Sequence, residues 1–297
     1  MLNRLRQIGF SCALKKLKHS VFLDKDTKSL CALHGAYDYL LRYAYACNKG
    51  EQNWAPKPKS RTIWTCWWQG ENNAPVLVKK CINSMRNYAG ENKVVVIDEH
   101  NMKEYITLPD YIIRKHNEGI IPHTQFSDIV RLALLQKYGG CWIDATILLT
   151  DQLPQYIQEA SLFCFRSDGR GDVKLATPFM SSCAEHPVIN DVLALHYEYW
   201  RHENKLVSYS IVHLFFTIAI EASALNKSMW DAMPFVYSYR MDYLQPQLGK
   251  TYTEQAYQLA TQLSSIHKLT YKFDQFGIDI NKKGTFYDVL INGNKPD

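Results

Sequence analysis

The stretch from Gln125 to Thr150, QFSDIVRLALLQKYGGCWIDATILLT, constrains the fold more than any other part of the chain. Phe126, Ile129, Val130, Ala133, Leu134 and Tyr138 recur at helical spacing. Ser127 and Asp128 suit a first turn, and Gly139-Gly140 suits a left-handed stop. Ile143 to Leu149 is too short and too β-branched for a second helix, so a buried strand is expected. Helix, two-glycine turn and strand make an αβ unit, and open α/β sheets collect ligands at the carboxyl ends of their strands. Polar groups in this block are few. Asp128 and Arg131 share one helix face, a pairing worth little on a surface. Asp144 sits in an apolar run, where a carboxylate is costly to bury unless it is paired or bound to a cation. Asp144 therefore points to a site rather than to a core.

Upstream, Leu30, Leu33, Ala36, Tyr37, Leu40 and Leu41 predict a helix over residues 27–47. Residues 49–61, with Pro56 and Pro58, read as a linker. A helical N-terminal extension over 1–60 and a catalytic domain over 61–297 are expected. TIWTCWW (62–68) predicts a buried strand, and 69–73 a turn. Ala74-Pro75 then begins a helix lined by Leu77, Val78, Cys81, Ile82 and Met85. KVVVID (93–98) predicts a second strand, and short helices follow near Met102 and over 109–116. This β-α-β order starts a nucleotide-type α/β sheet. Downstream, 161–166 and 175–180 read as strands, 168–172 as a turn or loop, and 187–200 and 208–224 as helices.

Within 297 residues a full core can be buried, as one large domain or two small ones. The eight cysteines show no C-x-x-C spacing, which excludes a zinc ribbon or a thioredoxin-like pair, and they read as reduced thiols of a cytoplasmic protein. Charge is uneven: residues 1–60 carry 11 Lys/Arg against 4 Asp/Glu, although the whole chain is only +5. Arg4, Arg6, Lys15, Lys16 and Lys18 alternate with apolar residues near the start, with no apolar run long enough to span a bilayer. Such a segment either lies on an anionic membrane surface or packs as a solvated helix. No aromatics interleave with the basic cluster, so nucleic acid is not an expected partner.

The S-D-x-x-R helix, the double glycine and the Trp142-Ile143-Asp144-Ala145-Thr146 ending resemble the DXD sugar-binding region of retaining glycosyltransferases. More narrowly they resemble the capsular polysaccharide synthesis protein family, over roughly residues 60 to 272. The resemblance implies a GT-A-like nucleotide-sugar-binding sheet with flanking helices. It implies that Asp128 and Arg131 hold the donor sugar, with Asp144 as first DXD carboxylate near the ribose, the diphosphate and a divalent cation. Trp67, or failing it Trp68, would stack on the donor base, with Gln69 and Gly70 allowing close backbone approach. The late S-I-H-K-L-T-Y-K segment is matched as well. It would bring His267 to a metal and Lys268 or Lys272 to phosphate.

One departure stands out. Thr146 occupies the place of the second DXD acid, and a hydroxyl is a weak, neutral ligand for Mn²⁺ or Mg²⁺. The expected metal set of Asp144, Thr146 and His267 is thus short of carboxylate. The implied reaction is sugar transfer with retention from a nucleotide sugar, a UDP-sugar first among them. The acceptor is a hydroxyl of an oligosaccharide or lipid-linked saccharide, as in capsule or lipopolysaccharide synthesis, at the inner face of the cell membrane. Tyr209, His213 and Trp200 are candidate acceptor contacts, each also readable as core. Two alternatives stand beside this reading. A glycoside hydrolase would use Asp128 and Asp144 as its carboxylate pair, with Arg131 expected to depress the pKa of Asp128 and spoil it as an acid. The other is a sugar-binding scaffold without catalysis.

Overall fold

The computed structural model describes residues 25–48, 54–167 and 172–294. The basic segment 1–23 and most of the 168–172 loop lie outside the described residues. In chain order the elements begin with α1 (Lys25–Leu40), β1 (Thr62–Cys66), α2 (Val76–Asn87), β2 (Lys93–Ile97), α3 (Met102–Tyr105), α4 (Asp110–Asn117) and α5 (His123–Tyr138). Then come β3 (Gly140–Ile143), β4 (Ile147–Leu149), α6 (Gln155–Glu159), β5 (Leu162–Arg166), β6 (Leu175–Ser182), α7 (Pro187–His202) and α8 (Ile211–Ala222). The chain continues through α9 (Ala224–Ala232), α10 (Tyr239–Asp242), α11 (Glu254–Leu263), β7 (Ile266–Lys268), α12 (Phe273–Phe276) and α13 (Phe286–Leu290).

A five-stranded sheet of order β2-β1-β3-β6-β5 forms the centre, beside a two-stranded sheet of β4 and β7. β1 pairs in parallel with both β2 and β3, so Trp67, Asp98 and Asp144 all emerge at the same, carboxyl end. β6 runs antiparallel to β3 and to β5. The molecule is thus an α/β structure with helices flanking a mixed sheet.

Both faces of the central sheet are covered, which explains why its strands are largely apolar rather than strictly alternating. Trp64, Val95, Ile97 and Trp142 face a large core shared with α1, α5, α7 and α8. Their neighbours Ile63, Cys141, Ile143 and Phe179 pack on the other face with Met85, Ile147, Leu149 and Ile266. Residues before the expected boundary near 61 are not set apart: Ala36, Tyr39, Leu40, Tyr43 and Cys47 belong to the large core.

Three local expectations are corrected. α5 begins at His123 behind Pro122, one turn earlier than Ser127-Asp128 suggested, so Asp128 sits inside the helix. Pro75 stands at the cap of α2 rather than at its first turn. The strand expected over 143–149 is two strands in two sheets. The Asp144 amide donates to Pro178 O, and the Ile147 amide turns back onto Asp144 O. Asp144-Ala145-Thr146 is therefore a turn from one sheet into the other.

Candidate active site

The double glycine sets the geometry between α5 and β3. Gly139 closes the helix at φ +66°, and Trp64 Nε1 donates to its carbonyl at 2.9 Å. A Cβ on Gly139 would stand 2.6 Å from Ala184 N, and one on Gly140, at φ +95°, 2.5 Å from Thr62 O. Only glycine lets the helix end press against β1 and the end of β6 while turning directly into β3. This junction holds the α5 side chains against the end of the strand they precede.

Arg131 and Asp144 meet across it. Arg131 Nη2 lies 3.1 Å from Asp128 Oδ1 and 3.2 Å from Asp144 Oδ1, so one nitrogen bridges the two carboxylates. Arg131 Nη1 donates to Thr177 O at 2.8 Å, and the guanidinium sits 5.0 Å from the centre of the Trp142 ring. Trp142 Nε1 donates to Asp144 Oδ1 at 2.8 Å. From the other sheet, Lys268 Nζ lies 3.3 Å from Asp144 Oδ2 and donates to Thr146 Oγ1 at 2.5 Å. The two halves differ in access: the side chains of Arg131 and Asp128 are 6% and 11% exposed, those of Asp144 and Lys268 24% and 25%. A ligand reaches the Asp144–Lys268 pair, with Arg131 and Asp128 beneath it.

The two acids titrate in opposite directions. Burial would raise the Asp144 carboxyl, but Lys268, Arg131 and the Trp142 indole together hold it below its ordinary value. For Asp128 burial prevails: one shared guanidinium does not offset it, the charge of Asp144 adds to it, and the pKa rises from 3.8 to about 6. Arg131 lowers the Asp128 pKa as expected, but burial, with the charge of Asp144 added, outweighs it, so the expected net depression is not found.

A model of the capsular polysaccharide synthesis protein family matches residues 34–290. The chain belongs to this family. Two curated relatives align over about a third of the chain. One is O-glycosyltransferase PaGT of Phomopsis amygdali, 30% identical over 32% of this chain and 25% of its own. The other is O-glycosyltransferase braB of Annulohypoxylon truncatum, 29% identical over 30% of this chain and 24% of its own. The chain thus matches about a quarter of the length of these relatives. Among solved structures, PaToxG Glycosyltransferase is similar at a TM-score of 0.39 and 16% identity, over 88% of this chain and 91% of that one.

In this family member the remaining expected residues divide. Trp67 lies at the carboxyl end of β1, partly buried, edge-on to Tyr271 with ring centres 5.5 Å apart. Trp68 packs edge-on to Phe126 and His116 in the large core. Gly70 follows at φ +81° with an exposed Gln69 before it. Trp64 is core, 3% exposed. Lys272 is exposed, whereas Lys268 is drawn into the site.

His267 is not brought to Asp144. It alternates with Lys268 along β7, is fully buried, and its Nε2 lies 3.1 Å from Thr150 Oγ1. Burial pushes its pKa down to about 4, so it is a neutral ring packed behind the small sheet. The expected metal set therefore reduces to one carboxylate and one hydroxyl, both already bonded to an ammonium. Among the described residues no group of three His, Cys, Asp or Glu is gathered to hold a metal ion. These residues do not fit a divalent cation.

Of the candidate acceptor contacts, Trp200 is fully buried and belongs to the core, while Tyr209 is 70% exposed and its carbonyl accepts from Gln125 Nε2. His213 Nε2 stands 3.5 Å from Thr177 Oγ1, next to the carbonyl that binds Arg131. Burial and the Arg131 charge push its pKa down to about 4, so the ring is neutral at pH 7. Sequence reasoning missed Trp142 as a bonding partner and the Thr177 carbonyl. Trp142 could have been found, since in the strand expected to run on through Asp144 a residue two positions earlier shares its face. The backbone carbonyl has no signature in residue identity.

Proposed function

We propose that the chain is a glycosyltransferase with a GT-A-like donor site. It moves a sugar from a nucleotide sugar, a UDP-sugar first among the candidates, to a hydroxyl of a surface-polysaccharide or lipid-linked saccharide acceptor, with retention. One observation carries this reading. Two cations, Arg131 and Lys268, are bonded to the two oxygens of Asp144 at the carboxyl ends of parallel strands, where α/β sheets bind ligands. Family membership and the names of the two relatives support it.

The chemistry follows from where charge develops. As the glycosidic carbon gains oxocarbenium character, negative charge grows on the departing diphosphate, and fixed cations that meet it there lower the barrier most. Lys268 is the accessible cation for that phosphate. Arg131 and Asp128 orient sugar hydroxyls, Asp144 holds both cations in place and accepts from the ribose or the sugar, and Trp67 with Tyr271 offers an apolar edge for the base. Asp128 and Asp144 are both tied to the Arg131 guanidinium, which favours a front-face route over attack by either carboxylate. The hydrolase reading needs a bond to sit between Asp128 and Asp144, and the Arg131 guanidinium occupies that space.

The test is donor hydrolysis across a panel of nucleotide sugars with wild type and Asp144→Asn. Release of one nucleoside diphosphate, lowered about 10²–10³-fold by the substitution, is expected. Silence across the panel, with no nucleotide raising the melting temperature, would sink the assignment. Among the described residues no helix is long and apolar enough to cross a membrane. The basic segment 1–23 would bring the enzyme to an anionic surface where lipid-linked acceptors reside. Deleting it should abolish sedimentation with anionic vesicles; unchanged sedimentation removes that role.

A further inference from the structure

Asp144 and Thr146 mark the place where the resemblance puts a divalent cation, and one side chain already joins them there. Lys268 Nζ is bonded to Asp144 Oδ2 and to Thr146 Oγ1. We propose that the Lys268 ammonium takes the place of the metal ion, so that donor binding and sugar transfer proceed without a divalent cation. The inference rests on the donor-site reading above.

Three observations carry it. The first is the donor set. Mg²⁺ and Mn²⁺ bind through several oxygens, with carboxylate preferred. Here one Asp144 oxygen is taken by Trp142 and Arg131, the other by Lys268, and Thr146 adds no charge. The second is position. The antiparallel pairing of β4 with β7 sets Lys268 opposite Ile147, directly after Thr146. Its ammonium is therefore held by strand register, not by a chance reach of a flexible surface lysine. Asp242 on α10 is close enough to feel the charge of Lys268, but among the described residues no three His, Cys, Asp or Glu side chains gather into a metal-holding group.

The third observation is that the residues at 146 and 268 complement each other. A hydroxyl accepts from an ammonium without cancelling its charge. An aspartate at 146 would put a second carboxylate on the same ammonium and leave less positive charge for a diphosphate. An ammonium has three donors, and the two bonds seen here leave one for a phosphate oxygen. In the transfer step the bond between the anomeric carbon and the phosphate oxygen breaks, and its electron pair stays on the diphosphate. The acceptor oxygen bonds to the same carbon, and its proton passes to the leaving phosphate oxygen. Lys268 remains protonated throughout.

The test is calorimetric binding of a panel of nucleoside diphosphates (UDP, GDP, CDP, ADP) to the full chain, in EDTA or in MnCl₂. It is paired with Mn²⁺ titration followed by electron paramagnetic resonance. Wild type should bind one diphosphate with affinities in the two buffers agreeing within about twofold, and Lys268→Met should weaken it about tenfold or more in both. The double variant Lys268→Met with Thr146→Asp should bind Mn²⁺ and recover diphosphate affinity only in its presence. Wild-type binding that vanishes in EDTA overturns the inference and leaves the donor site standing. So does diphosphate binding indifferent to Lys268→Met. If no diphosphate binds in either buffer, the donor-site reading fails and the inference with it. Should Lys268→Met not fold by circular dichroism, the wild-type comparison of EDTA with MnCl₂ decides alone.

Discussion

At the scale of single residues, the site turns on how one guanidinium serves two acids. Asp128 is the member left short of positive charge, with its pKa raised to about 6. If it accepts from a sugar hydroxyl as a carboxylate, donor turnover should rise with pH through a midpoint near 6, and Asp128→Asn should remove that limb. Stability should move the other way. Between 3.8 and about 6 the folded chain holds a proton on Asp128 that the unfolded chain has lost, so stability falls as pH rises through that window. Melting temperatures of wild type and Asp128→Asn across this range check the sign. Arg131→Met leaves Asp128 and Asp144 without their shared cation and should cost about 3–5 kcal/mol in urea unfolding. Asp128, Arg131 and Asp144 were legible in the sequence because charge inside an apolar pattern is conspicuous. Which acid keeps its proton was not, since that depends on Lys268, 124 residues after Asp144, and on the Trp142 indole.

At the scale of elements, the helix and its double-glycine stop were readable from periodicity and the glycine pair alone. Gly140→Ala tests the junction: with φ +95° and the Thr62 carbonyl 2.5 Å from the new Cβ, it should destabilise by at least about 1–3 kcal/mol. A melting temperature equal to wild type would show that the helix end can shift. The break between β3 and β4 was hidden. Asp144-Ala145-Thr146 contains no glycine or proline to punctuate it, and an apolar run reads the same whether it feeds one sheet or two. Likewise the SIHKLTYK segment named the right neighbourhood, but strand alternation decides that Lys268 faces the site and His267 the core. Such a pairing partner, far away in sequence, cannot be deduced from three residues.

At the scale of the whole molecule, the first described helix is part of the body. Tyr39 and Tyr43 both donate to Glu203 Oε1 at the end of α7, while Lys115 Nζ donates to the carbonyls of Trp200 and Glu203. Removing residues 1–48 should expose the apolar faces that Ala36, Leu40 and Tyr43 cover and lower the melting temperature sharply. A truncation at 48 that melts like the full chain would show the segment to be dispensable.

The turn at Asp144–Thr146 has one more consequence. The groups that would grip a donor stand on either side of a seam: Arg131 and Asp144 belong to the five-stranded side, Lys268 to the small sheet. A bound diphosphate sugar then works as a clasp, fastening the two sheets across the turn at Asp144–Thr146. Amide hydrogen exchange along Ile266–Lys268 should slow when the donor is present and quicken when it leaves.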